Sequence, residues 1–196
     1  VHSSLWGGDL EAFIFQGAAR GLFRKKKLLF SVADTSVYRL GKKAPAGAIL
    51  GARGPYGIFA AGVDTPLNNW FRKVYQDRYS VPPVGGSYQA AQGVLAAKYA
   101  YDAAAKANGG KFPTTDQVIA ALEGATYQGL AAKVHMNRSN GHQAATKHMI
   151  GVLEWDKEAG GPVMTKVTEF GPDCVMPPPG VNGTEWLKGG MKGAKC

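Results

Sequence analysis

The sequence predicts an α/β protein built on a parallel sheet, and three observations lead there. A strand-like segment, an amphipathic helical segment and a second apolar strand follow one another within about 32 residues, the size of one βαβ unit, whose parallel strands need a crossover helix. A third apolar strand, Ala48 to Ala52, comes soon after. The composition, 45% hydrophobic and 19% charged, is that of an ordinary globular chain with enough apolar surface for a core.

The elements follow in order. Residues 1 to 5 read as the end of a buried strand, and Gly7-Gly8-Asp9 as a turn in which Asp9 caps a helix. Leu10, Phe13, Ile14, Gly17, Ala18, Gly21 and Leu22 recur at three- and four-residue spacing, so the helix is expected to run to Phe23. Arg24-Lys25-Lys26-Lys27 reads as a solvated loop, and Leu28 to Val32 as a core strand. Ser36 to Lys43 is turn-rich, and Arg53-Gly54-Pro55-Tyr56-Gly57 permits a change of direction after the third strand. Thr65-Pro66 is an N-cap with proline at the first helical position, and Leu67, Trp70, Phe71, Val74 and Tyr75 form the predicted inward stripe.

An Ala-rich helix is expected from Ser87 to about Lys106, stopped by Asn108-Gly109-Gly110. Thr114 with Gln117 makes a capping box for a third helix, with Val118, Ile119 and Leu122 inward. Ala132 to Met136, His148 to Trp155 and Val163 to Phe170 read as strands of a small antiparallel addition. The stretch from Gly171, with Pro177-Pro178-Pro179, reads as an extended tail.

The function classes narrow by elimination. The net charge of +9 invites nucleic acid, but the densest basic run is four residues and no aromatic residues interleave with it, so no nucleic-acid partner is expected. The four histidines, His2, His135, His142 and His148, show no zinc-site spacing, and His142 reads as a surface loop residue. No nucleophile elbow or phosphate loop occurs. No metal, cofactor or catalytic residue is assigned. Apolar stretches fall far short of the roughly 20 residues that cross a bilayer. If the protein is exported, Cys174 and Cys196 can pair and pin the tail; in the cytosol they are two thiols.

Open α/β sheets hold ligands in the crevice at the carboxyl ends of their strands, which directs attention to the loops there. Trp6 either packs in the core or presents its indole to a ligand, and Asp9 is either a cap or a contact near the N–H groups of the helix start. The loop Ser31 to Ser36 offers hydroxyls and Asp34, the favoured acidic contact for a ligand ammonium or hydroxyl. Tyr56 and Tyr88 each supply a ring and a hydroxyl, as core residues or as ligand contacts.

The ordered series Leu5-Trp6-Gly7-Gly8-Asp9, Gly21-Leu22-Phe23, Gly47 to Tyr56, Phe71-x-x-x-Tyr75-x-x-x-Tyr79 with Pro82-Pro83, Ser87-Tyr88-x-Ala90, Thr114-Thr115-Asp116 and the His142-Gln143 loop resembles periplasmic solute-binding proteins of the Leu/Ile/Val type. The resemblance covers about residues 1 to 170 and implies the carboxy-terminal half of a type 1 periplasmic binding fold: two hinged lobes of parallel sheets flanked by helices. On this pattern 1–55 is the later part of the second lobe, 56–133 the returning part of the first, and 134–196 the final crossover strands and tail. It implies a periplasmic protein that captures an amino acid or a small, even aromatic, organic acid between its lobes and presents it to an ABC permease, not an enzyme. A ligand-sensing receptor on the same fold is the alternative. The start at Val1, with no initiator Met, points to processing or truncation upstream, and a companion amino-terminal fragment is an expected partner.

Overall fold

The computed structural model describes residues 1–137 and 143–196; the expected His142 loop lies outside them. Along the chain come β1 (His2–Ser3), α1 (Gly7–Ala19), β2 (Leu29–Phe30), α2 (Val37–Leu40), β3 (Ile49–Ala52), α3 (Pro66–Tyr79), α4 (Gly85–Ala107) and α5 (Thr115–Leu122). Then follow β4 (Thr126–Gln128), β5 (Lys133–Asn137), β6 (Gln143–Ala145), β7 (His148–Asp156), β8 (Gly161–Phe170), α6 (Pro172–Val175) and α7 (Gly183–Lys188). The chain divides into two compact units, the first comprising 1–88 with 148–169 and the second 89–147 with 170–196.

The first unit is organised by a five-stranded sheet in the order β1-β2-β3-β7-β8. β1, β2 and β3 are parallel, in register His2 with Leu29 and Leu29 with Ile49, as crossover connections demand. β7 returns antiparallel to β3, with Leu50 opposite Gly151. The core gathers Leu10 and Ile14 of α1, Phe30, Leu50, Val37, Phe59, Met149 and Leu153. The expected buried strand over residues 1 to 5 is a two-residue edge strand whose Val1 and Leu5 stay exposed.

Two helices differ instructively from their sequence pattern. α1 begins at Gly7 with Trp6 in the cap position and no side-chain cap, so Asp9 lies inside the first turn and does not cap it. It ends at Ala19, not Phe23, and Phe23 folds back until its ring fills the space a Cβ on Gly17 would need, 2.6 Å away. α3 starts as expected, with the Thr65 hydroxyl accepting from the Asn68 amide at 3.3 Å. Its inner face is mixed, with Leu67, Phe71 and Tyr75 part-buried beside polar Asn68 and Arg72. Asn68 is fully buried, donating from Nδ2 to the carbonyls of Ala60 at 2.9 Å and Val63 at 2.6 Å, while Trp70 and Val74 of the predicted inward stripe are exposed. A buried amide with three hydrogen-bonding partners fixes the rotation of a helix more firmly than apolar residues that can slide. The turn-rich piece from Ser36 to Lys43 winds into helical turns around α2.

The second unit holds a separate antiparallel sheet, β4-β5-β6, with Tyr127 opposite Val134 and His135 opposite Ala145. The predicted antiparallel addition is thus divided: β5 belongs here with two short partners, whereas β7 and β8 extend the main sheet. α5 carries the expected capping box, Thr114 with Gln117, but Ile119 is exposed. The expected extended tail is folded instead. α7 is capped by the Asn182 side chain, Trp186 is buried with its Nε1 donating to the Lys192 carbonyl at 2.9 Å, and a disulfide joins Cys174 to Cys196. Tail residues that cannot form a large core gain order from a cap and a cross-link. Among the described residues no helix is long and apolar enough to cross a membrane.

Candidate functional site

Because β1, β2 and β3 are parallel, the loops after them emerge on one edge of the sheet. They carry Leu5 and Trp6, then Ser31 to Ser36, then Arg53 to Gly57. The first two are stitched together. The Gly7 amide donates to the Thr35 hydroxyl at 3.2 Å, and the Ser36 hydroxyl donates to the Gly7 carbonyl at 3.0 Å. His2 Nε2 and Ser31 Oγ lie 2.8 Å apart across the strand ends.

Asp34 is the most constrained group of this rim. It is 8% exposed, and its Oδ2 accepts from the Gly85 amide at 2.7 Å. Gly57 and Gly85 close on the carboxylate so tightly that a Cβ on either would fall 2.8 Å and 2.3 Å from Oδ2, and Gly57 also holds a φ of +55°. Burial pushes the Asp34 carboxyl above the ordinary carboxylate value, against the Gly85 hydrogen bond and the Arg53 charge.

Tyr56 and Tyr88, both buried, stack with centroids 5.9 Å apart, and Phe71 meets Tyr88 edge-on at 5.0 Å. The Tyr88 hydroxyl donates to Asn68 Oδ1 at 2.7 Å. Arg72, on the same inner face of α3, donates from Nη1 to the Gly57 carbonyl at 3.4 Å and interacts with the hydroxyls of Tyr88 and Tyr38. Burial depresses the Arg72 pKa, but these hydrogen bonds outweigh it and leave the guanidinium above its ordinary value. Burial raises the hydroxyl pKa of Tyr38 and of Tyr88. His148, at the start of β7, is held below its ordinary value by burial and by the Arg53 charge.

Asp34, Tyr56 and Tyr88 of the sequence-predicted set therefore share one network, through the Gly85 turn that opens α4. Trp6 stands apart from it, 68% exposed and outside the core, and Asp9 is exposed in the first turn of α1. Arg72, Tyr38 and Asn68 were not singled out from the sequence. Their signal was present in α3 as the spacing Asn68, Arg72, Tyr75, a polar face at helical period. The second unit has a concavity of about 830 Å³ lined by His135, Asn137, Pro172, Pro178 and Lys195, where the His135 ring is already bound to the Thr126 hydroxyl at 3.0 Å. Among the described residues no three His, Cys, Asp or Glu side chains gather as a metal site.

Polar and aromatic side chains thus collect at the carboxyl ends of parallel strands, where open α/β sheets hold ligands. The chain belongs to the periplasmic binding protein family, whose profile matches residues 1–161. Its fold is the type 1 periplasmic binding fold, shared with solved ABC-transporter solute-binding proteins. One, from Rhodopseudomonas palustris BisB5 in complex with 3,4-dihydroxybenzoic acid, is 19% identical with a TM-score of 0.68 over 87% of this chain and 44% of its own. Another, from R. palustris in complex with benzoate, is 20% identical with a TM-score of 0.62 over 85% and 42%. A leucine binding protein from Thermotoga maritima MSB8 is 14% identical with a TM-score of 0.58 over 85% and 44%. The chain thus spans less than half the length of each of these relatives. No curated protein sequence matches it.

Proposed function

We propose that the protein is the solute-binding component of an ABC importer, working outside the cytoplasm, and that the loops after β1, β2 and β3 form part of its solute site. The observation that carries this reading is the placement of Trp6, Asp34, Tyr56 and Arg72 on loops and a helix around one edge of a parallel sheet, in a chain of the periplasmic binding protein family. The solute is an amino acid or a small organic acid, aromatic acids included; the neighbours' benzoate, dihydroxybenzoate and leucine share a carboxylate.

In this reading Trp6, which is exposed, touches the solute directly, and Asp9, exposed in the first turn of α1, borders the site. Asp34, Tyr56 and Tyr88 shape the wall behind it, since their own packing already occupies most of their surface. The protein hands its solute to a permease and performs no chemistry on it. The lobe assignment of residues 1–55, 56–133 and 134–196 is part of the same proposal, as is completion of the site by amino-terminal polypeptide.

Calorimetric titration of the full-length gene product with leucine, benzoate and 3,4-dihydroxybenzoate tests it. One of them is expected to bind, and Trp6→Ala to weaken that binding roughly tenfold through loss of an aromatic contact. Absence of binding across a panel of amino acids and aromatic acids at millimolar concentration would overturn the proposal.

A further inference from the structure

Arg72 is a half-buried cation. Its guanidinium rests on one carbonyl, that of Gly57, and on the hydroxyls of Tyr38 and Tyr88. Among the described residues no carboxylate forms an ion pair with it. The tyrosines offer oxygens but no charge, because both hydroxyls are held above their ordinary pKa of 10.0 and stay protonated at neutral pH. The nearby acid, Asp34, has Oδ2 committed to the Gly85 amide and senses the charge of Arg53. These neutral oxygens keep the guanidinium charged but bring no negative charge, and a planar guanidinium with five N–H donors pairs most strongly with a carboxylate.

We propose that Arg72 anchors the carboxylate of the solute, and that the solute is an aromatic or otherwise apolar monocarboxylate and not an amino acid. The proposal rests on the solute-binding reading above and narrows it. A guanidinium meets a carboxylate with two parallel N–H donors, and the half-buried Tyr38 interacts with that of Arg72. An amino acid would also need an acceptor for its ammonium. Asp34 is kept from that task by its burial and by the Gly85 amide on Oδ2, and Asp9 stands apart from the Arg72 network in the first turn of α1. The surroundings of Arg72 are instead rings: Tyr38, Tyr88, and Phe71 and Tyr56 packed on Tyr88.

Isothermal titration of the full-length gene product with benzoate, benzamide and leucine decides the matter, using the wild type, Arg72→Gln, Arg72→Lys and Tyr38→Phe. Benzoate is expected to bind at least tenfold more tightly than benzamide or leucine. Arg72→Gln is expected to weaken benzoate on the order of 100-fold, the worth of a paired charged hydrogen bond, while leaving benzamide unchanged; Arg72→Lys recovers part of the loss. Tyr38→Phe, which keeps the cation, is expected to weaken benzoate alone by roughly fivefold, and serves if Arg72→Gln fails to fold by circular dichroism. Wild-type affinity for benzoate in Arg72→Gln or in Tyr38→Phe, equal losses for benzoate and benzamide, or tighter binding of leucine than of benzoate would each overturn the assignment. Binding of none of the three by the wild type would overturn the assignment, and absence of binding across the wider panel of amino acids and aromatic acids would overturn the solute-binding reading along with it.

Discussion

Replacing Gly85 by alanine places a methyl group where the Asp34 carboxylate now sits. The added Cβ would fall 2.3 Å from Oδ2, whereas ordinary contact begins near 3.4 Å, so the carboxylate must retreat by about 1 Å. A shift of that size takes Oδ2 out of range of the Gly85 amide, now 2.7 Å away. A hydrogen bond to a charged group is worth about 1.5–3 kcal/mol, and the Gly-to-Ala gain in helix propensity returns up to about 1 kcal/mol, so a net loss of about 1–2 kcal/mol is expected. Urea unfolding monitored by circular dichroism reads it, in a cycle with Asp34→Ala. In the Asp34→Ala background the methyl meets nothing charged, and Gly85→Ala should be neutral or stabilising. Equal destabilisation with and without Asp34 would refute the idea that the glycine exists to admit the carboxylate.

Asn68→Ala removes the buried side-chain donor to the carbonyls of Ala60, which keeps the Val63 amide, and of Val63, and the acceptor of the Tyr88 hydroxyl, and is expected to cost about 2–4 kcal/mol in urea unfolding, against about 1 kcal/mol for Tyr88→Phe. Reducing the Cys174–Cys196 disulfide, which closes a loop of sequence separation 22, is expected to loosen the tail by about 3 kcal/mol and shift Trp186 fluorescence to the red, because the indole is buried. His148, with its folded pKa depressed below 6.5, binds fewer protons folded than unfolded. Its contribution is therefore complete above pH 6.5 and is lost as pH falls from there through the folded value; a thermal-unfolding series over that range should be flatter in His148→Gln. Asp34, with its pKa raised by burial, works in the opposite sense in the window above 3.8.

Much of the fold was legible because it rests on local signals. The Thr65-Pro66 start of α3, the Thr114–Gln117 capping box and the Ala-rich α4 need only neighbours along the chain to be recognised, and each appears where those residues stand. The α/β class followed likewise from the strand–helix–strand spacing. What failed were rotations and ends. Trp70 and Val74 were expected inside and lie outside, since the inner face of α3 is chosen by Asn68 and its distant acceptors. The tail from Gly171 reads as coil locally and folds only through Asn182, Trp186 and Cys196 acting together.

The sequence by itself determined the periodic elements, the parallel order of the first three strands and therefore which loops share an edge of the sheet. It also marked Trp6, Asp9, Asp34 and Tyr56 as candidates, because strand-end loops are recognisable in one dimension, and Tyr88 at the start of the Ala-rich helix. Only the tertiary structure decided which of these are open and which are enclosed: Trp6 stands in solvent, whereas Asp34 is sealed by Gly85, 51 residues away in the chain. Tertiary structure alone also brought Arg72 to two tyrosines, with no carboxylate paired to it among the described residues. Burial and charge compensation are sums over neighbours in space, and those neighbours come from segments that the linear sequence keeps apart.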